Sequence, residues 1–505
     1  MENLNDTLEN NTGNTVKKRK SPISLIWVFS VVIFCLIFAA TLAPRPMAQS
    51  RVQQDASQYI NTLRSVFEFI QRNYVEEVDP KLLFDGAMTG MFESLGDPYS
   101  AFLPESEMTS LTDTTQGNFG GVGMHVFKPA ARPDGRPSFL EVAAPIEDTP
   151  AWRAGIMPGD QIILINGEPT DVISSDEAVS RLRGVPGTDV EIMIRRDETI
   201  EFPVTLTRAI IEVPTVRHAM IDNIGYLNLL TFTPMTVERS VDAIQEFQSR
   251  GYRGVVLDLR NNYGGLLDSA VAIANLFADG RIVTSTRSRI NSQNRDYIAR
   301  SRAMVPMDIP IIVLINRGSA SASEIVAGAL KDWGRAFLVG ERTFGKGSVQ
   351  QVFPLENSGF RITTARYYTP SGADIDSVGI PPDREVRLPE FSEADAPQAN
   401  ILINSGRIAD FVRENPSATA AQVENFAQAL HREFNLELIL LRRLIRNEQN
   451  RRTIAPIYDL EYDLQLLEAI NILRDGSFDY LMQNSRTLRV LQEEAAKVET
   501  ISLAS

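Results

Sequence analysis

Apolar residues recur along this chain at three spacings, and each change of spacing marks a change of part. Tyr59, Leu63, Val66, Phe67 and Ile70 return every three or four positions, and a second such stretch covers Leu82 to Leu95. Residues 50–117 therefore read as a helical segment, interrupted at Gly96-Asp97-Pro98. Between 118 and 208 the pattern shortens to alternation, at Gln161 to Ile165 and at Val190, Ile192 and Ile194. Asn166-Gly167 is a hairpin turn signal. Thr149-Pro150 opens a short helix that Gly155 ends, and Ser174 with Glu177 forms a capping box for a helix running to Leu182 and closed by Gly184. From 209 to 387, unbroken apolar runs (Gly254 to Leu259, Pro310 to Ile315, Ala336 to Val339) alternate with helical stretches at Ala270 to Phe277 and Ala322 to Trp333. That alternation predicts a layered α/β domain. Residues 395–505 lack clear strands, and Phe426 to Leu444 and Tyr462 to Leu473 carry helical periodicity, so a helical C-terminal extension is expected.

A fourth pattern lies at the start. Residues 1–22 are polar and end in the basic cluster Lys17, Lys18, Arg19 and Lys20; residues 23–43 form an uncharged apolar run. Its length suits a bilayer core of about 30 Å, and the basic flank places the remainder of the chain across the membrane from the cytoplasm. The expectation is a single-pass anchor in the cytoplasmic membrane with the bulk of the chain extracytoplasmic, in the periplasm. The alternative is a cleaved signal peptide; the run is long for one, and Pro44 and Pro46 disturb the obvious cleavage sites.

Composition narrows the chemistry. At 505 residues the chain is long enough for several domains, and its net charge of −14 argues against a nucleic-acid binder. The single cysteine, Cys35, lies inside the apolar run, so no thiolate zinc site or internal disulfide is available. Three histidines, His125, His218 and His431, lie far apart and outside any metalloprotease motif. No metal or cofactor is expected.

Three short stretches carry candidate chemistry. The apolar strand ending at Ile315 runs through Asn316-Arg317-Gly318 into Ser319-Ala320-Ser321-Ala322-Ser323 and at once into a helix, whose free N–H groups suit a developing oxyanion. Serine at such a place is also an ordinary helix cap. Lys346 leaves a buried strand between Gly345 and Gly347. A lysine acts as a base only when desolvated or held near other cations; lowering it from about 10.4 to about 7 corresponds to roughly 4–5 kcal/mol. The stretch Gly340 to Lys346 nearly matches a phosphate-binding loop, but Gly347 stands where a hydroxyl is needed and a strand pattern follows. The G-x-S-x-G elbow of α/β-hydrolases is absent. The third stretch, Leu257 to Gly265, ends a strand in two glycines able to aim an N–H at a reacting carbonyl.

Residues 118–208, and the string AGIMPGDQIILING (Ala154 to Gly167) above all, resemble a PDZ domain, which takes a peptide as an added strand and holds its carboxylate on backbone amides. Gly120, Gly121, Val122 and Gly123 are where that nest is expected. Together with NYVEEVDP (Asn73 to Pro80), LDLRNNYGG, GSASASEI (Gly318 to Ile325), TFGKGSVQQ and YYTPSG (Tyr367 to Gly372), the chain resembles the C-terminal processing peptidases, the tail-specific serine proteases. The resemblance covers about residues 60–387 and implies a PDZ domain followed by a layered α/β protease core of ClpP/crotonase-like type at 209–387; with the transmembrane helix, the helical segment and the helical C-terminal extension read above, a multi-domain α/β protein is expected. It implies Ser321 as nucleophile, Lys346 as base, Gln350 as support for the lysine, and an oxyanion hole on the N–H groups of Gly265 and Ala322. Ser319 and Ser323 remain rivals on composition alone. Arg183, in Leu182-Arg183-Gly184, is the expected coupler between a filled PDZ groove and Gln350. Substrates would be proteins with exposed C-termini, and the C-terminal helices either pack on the core or form a homo-oligomer. An inactive PDZ scaffold and an acyl-CoA enzyme of crotonase type are the competing functions.

Overall fold

The computed structural model describes residues 49–129, 137–196, 199–451 and 456–494. The basic tail at 1–22 and the apolar run at 23–43 lie outside the described residues. Among the described residues, no helix is long and apolar enough to cross a membrane.

The chain divides into two units, residues 1–88 and 89–505. In the first, the helix Gln49–Asn73 leaves Tyr59, Ile60, Leu63, Val66 and Phe69 exposed. The helical segment expected through residue 117 is broken by a strand, Ala101–Leu103, before the helix Glu105–Gln116. This strand pairs antiparallel with Ser358–Tyr368, Phe102 opposite Phe360. Three residues of strand are too few to show a period, and the partner lies far along the chain.

The alternating segment forms a sheet in the order Met124–Phe127, Leu140–Pro145, Gln161–Ile165, Asp189–Arg196, Ile200–Thr207. Val190, Ile192 and Ile194 point inward, where they meet Ala178 and Leu182 of the helix Ser175–Leu182. The Ser174 hydroxyl accepts from the Glu177 N–H at 3.1 Å, as the capping box predicts. Asn166 and Gly167 take φ of 50° and 80° at the hairpin turn. Beyond residue 208, Ala209–Glu212 pairs with Asn118–Gly121 in a separate two-stranded sheet.

The α/β core is a six-stranded sheet: Val216–Ile221, Ile224–Leu229, Gly254–Asp258, Ile311–Ile315, Phe337–Gly340 and Arg384–Glu385. All neighbours after the first pair run parallel. Its central strands are buried on both faces, which is why they read as unbroken apolar runs. Leu227, Val255, Leu257, Val313 and Leu338 face one layer with helices Pro234–Ser249, Leu267–Asn275 and Ala322–Asp332. Tyr226, Val256, Ile312, Leu314, Phe337 and Val339 face the other way, onto Leu466, Ala469, Ile470 and Ile472 of the helix Leu464–Asp475. That helix is thus the third layer of the core, not an appendage. The short helix Phe478–Gln483 packs on the same face, whereas the helices Ala396–Asn404, Arg407–Glu414, Ala420–Phe434 and Leu438–Arg451 close an apolar cluster of their own. The periodic stretch Phe426 to Leu444 is interrupted at Asn435, which turns left-handed at φ 52°. A second sheet orders Ala101–Leu103, Ser358–Tyr368, Ile282–Arg287 and Arg295–Ile298, with Ser348–Leu355 also on Ser358–Tyr368.

Candidate active site

Three adjacent parallel strands end at one place, the carboxyl edge where sheets of this kind take their ligands. The strand Gly254–Asp258 leads into the loop with Gly264 and Gly265, Ile311–Ile315 into the serine run, and Phe337–Gly340 into Lys346. The first two loops are bound together. Asn262 donates to the Leu229 carbonyl at 2.8 Å and accepts from the Gly264 N–H at 2.9 Å. Its carbonyl takes the Ala320 N–H at 3.0 Å and the Ser323 hydroxyl at 2.8 Å. Gly264, at φ 107°, lies so close that a β-carbon on it would stand 2.8 Å from Ser321 Cβ and 3.0 Å from the Ala322 nitrogen. The Phe232–Gly265 bridge uses the Gly264 carbonyl and the Leu266 N–H, leaving the Gly265 N–H outside the ladder.

The three serines differ. Ser319 and Ser323 are fully buried, their hydroxyls given to the carbonyls of Leu259 and Asn262, each at 2.8 Å. Ser321 is partly exposed at the helix N-terminus, with φ 56° and ψ −113°. A non-glycine residue there costs on the order of 1–3 kcal/mol, which the packed surroundings must overcome.

Glu324, one turn into the helix, is completely buried and organises the centre. Its Oε2 takes the N–H of Ser321 at 2.9 Å and of Lys346 at 2.8 Å. Its Oε1 takes the Thr343 hydroxyl at 2.5 Å and the Gly345 N–H at 2.7 Å. Burial pushes its carboxyl above the ordinary range, and these four donors oppose that push. One side chain therefore ties the serine and the lysine loop to a single point. Sequence reasoning missed it, because a glutamate three positions after a serine reads as half of a capping box.

The Lys346 amine lies over the Tyr99 ring, 4.6 Å from its centre. Burial, and then the Arg361 guanidinium, hold it below the ordinary lysine value, against the pull of Asp97 and Glu324. The lysine is thus desolvated in the direction a base requires. Tyr367 is buried, and its hydroxyl donates to the Lys346 carbonyl.

Against this geometry stand the comparisons with known proteins. Residues 223–386 match the model of peptidase family S41, 141–196 that of the PDZ domain, and 40–107 that of the activating protease CtpB N-terminal domain. The chain is 39% identical over 354 residues to the carboxy-terminal-processing protease of Bartonella bacilliformis, covering 68% of this chain and 79% of that protein. It is 32% identical over 394 residues to the carboxy-terminal processing protease CtpA of Bacillus subtilis, covering 77% and 82%. This chain belongs to the carboxy-terminal processing serine proteases of family S41.

The protease's remaining expected residues fall in two places. Gln350 lies on Ser348–Leu355, two residues beyond the strand's start, and its amide donates to Ser348 Oγ at 2.9 Å and Thr363 Oγ1 at 3.3 Å. Arg183 is elsewhere: it pairs with Asp113 at 2.9 Å and lies over the Phe119 ring at 4.6 Å, so the structure does not join it to Gln350. It borders the PDZ groove, about 290 Å³, lined by Gly121, Val122, Gly123, Val126, Val179 and Leu182 among others. The nest expected over 120–123 is narrower than that, because Gly120 and Gly121 pair as strand residues with Ile210 and Ala209. The carbonyls of Val122 and Gly123 accept from Ala151 and Ile146, each at 2.9 Å, which fixes the turn at the groove's end.

Proposed function

We propose that this protease works through a Ser321–Lys346 dyad and cleaves proteins after its PDZ domain has captured an exposed C-terminus. The observation that carries the dyad is the shared anchor: Oε2 of Glu324 holds the backbone N–H of both residues. Ser321 is also the serine of its run whose side chain is neither fully buried nor spent on a backbone carbonyl. In the reaction, neutral Lys346 takes the Ser321 proton as Oγ attacks the peptide carbonyl. The oxyanion forms against the N–H groups of Gly265 and Ala322; the lysine returns the proton to the leaving amine, and water then resolves the acyl-enzyme. Gln350 supports the lysine from the neighbouring strand, and Arg183 couples a filled groove to it after leaving Asp113.

The uncharged run 23–43 with its basic flank supports a membrane anchor and an extracytoplasmic, periplasmic catalytic part. The C-terminal helices outside the core layer offer a surface for self-association. The test of the dyad is cleavage of casein and of a C-terminally tagged peptide by the purified chain, beside Ser321→Ala and Lys346→Ala. Activity in the parent and none in either variant is the expected result; equal cleavage by all three refutes the dyad, and no cleavage by the parent leaves the scaffold reading.

A further inference from the structure

The turn Gly96–Ser100 reads in sequence as a helix breaker, yet it lies against the lysine. It is held there by strand pairing: Ala101 stands opposite Arg361, and the Ser100 hydroxyl accepts the Thr363 N–H at 3.0 Å. Asp97 receives the Ser100 hydroxyl at 2.5 Å and the Thr363 hydroxyl at 2.6 Å, both on Oδ2. Thr363 Oγ1 in turn accepts from Gln350. A continuous chain of hydrogen bonds thus runs from Asp97 through Thr363 to Gln350, while the next aromatic, Tyr99, lies under the Lys346 amine. Arg361 comes from the same strand as Thr363, and its Nε is buried without a hydrogen-bond partner.

We propose that Asp97, Tyr99 and Arg361 are positioning residues of the catalytic lysine, with the turn holding the amine on the Tyr99 ring and Gln350 in register, and Arg361, paired opposite Ala101 at the turn's end, supplying the opposing charge. The proposal rests on the Ser–Lys reading above. The physical logic is a balance between two protonation states, both of which one turnover requires. The Tyr99 ring face and the Asp97 carboxylate favour the ammonium; burial and Arg361 favour the neutral amine. Asp97 is itself fit for this role: burial raises it, but the hydrogen bonds from Ser100, Thr363 and the Tyr99 N–H, with the lysine charge, outweigh that and keep it ionised. The other charged or titratable groups facing the lysine segment are Glu324 from the helix, Tyr367 from the strand Ser358–Tyr368, and Asp376, whose Oδ1 accepts the Gly347 N–H at 3.1 Å. None of these lies on the turn, so the variants below leave them in place.

The sign follows for each charge. Removing Asp97 removes support for the ammonium, so the amine becomes neutral at lower pH. Removing Arg361 removes a repelling cation, so the ammonium persists to higher pH. The experiment is the pH dependence of kcat/KM for the tagged peptide, and of Ser321 labelling by a fluorophosphonate, for the full chain, Asp97→Asn, Arg361→Gln, Tyr99→Leu and Lys346→Ala. Labelling yields a midpoint even for a slow variant. Expected are an acid limb moved to lower pH in Asp97→Asn, moved to higher pH in Arg361→Gln, and a loss of about 3- to 30-fold in kcat in Tyr99→Leu. A residue of merely structural importance lowers the rate without moving the limb. Limbs unmoved, or moved in the same direction, in the two charge variants overturn the positioning role while leaving the dyad standing. Retained activity in Lys346→Ala overturns the dyad, and the positioning with it.

Discussion

Replacing Glu324 by glutamine is the sharpest test of how the centre is held. The carboxylate accepts four donors, two on each oxygen, and three of these are backbone N–H groups that cannot turn away. Glutamine keeps one oxygen and presents an NH2 on the other side. The less costly placement puts the NH2 where Oε1 stood, because the Thr343 hydroxyl can rotate to accept from it. The Gly345 N–H is then stranded, at about 1–3 kcal/mol, and the bonds to Ser321 and Lys346 lose their charge assistance. Relief of the buried charge offsets part of this, since burial already raises the proton affinity of Glu324. The net cost is about 2–4 kcal/mol, or a fall of about 5–15 °C in the unfolding midpoint. Activity should suffer more than stability, because Ser321 and Lys346 lose their common reference. Misplacement of a reacting group by about 1 Å costs on the order of a hundredfold in rate. The assay is thermal unfolding followed by circular dichroism, with kcat measured on the tagged peptide well below the variant's midpoint. A Glu324→Gln protein within 1 °C and twofold of the parent would falsify the argument that this carboxylate sets the site.

Other outcomes follow from single contacts. Gly264→Ala places a methyl 2.8 Å from Ser321 Cβ at φ 107°, and kcat for the tagged peptide should drop on the order of a hundredfold with a smaller change in thermal midpoint; an unimpaired variant would show that the loop does not abut the nucleophile. Lys331→Met breaks the buried pair with Asp383, 2.5 Å apart, and strands the carboxylate despite its bonds from Ser485 and Leu338; urea unfolding should show a loss of about 3–5 kcal/mol. Arg183→Ala removes a half-exposed pair with Asp113 worth no more than about 1 kcal/mol, so the thermal midpoint should hardly move, whereas cleavage of a substrate with a free C-terminus should fall at least about tenfold. Full activity of that variant on such a substrate rules out the coupling.

What the sequence revealed and what it hid divide along a physical line. The PDZ elements were legible because their signals are local: Pro150 at a helix start, Asn166-Gly167 at a turn, Ser174 and Glu177 three residues apart. The strands ending at Asp258, Ile315 and Gly340 were legible because burial on both faces demands unbroken apolar runs. The supports of the site were hidden because each has a cheaper local explanation. Glu324 passes for a capping residue, Asp97 for part of a breaker, and Asp463 for a helix cap, which it also is. Asp463 shows how much the local explanation omits. It accepts two bonds from Arg260, each at 2.7 Å, and Arg260 is held by Asp258 as well. The helix packed under the sheet is thereby tied to the loop that carries Gly264 and Gly265, across some 200 positions of sequence. No spacing rule reaches that far, and the second role of such a residue exists only once the fold has formed. A position that serves both a local cap and a distant loop is doubly constrained, so substitution there should damage the site before it damages the helix. Exposed caps without a second partner, such as Thr419 with Gln422, should show the reverse.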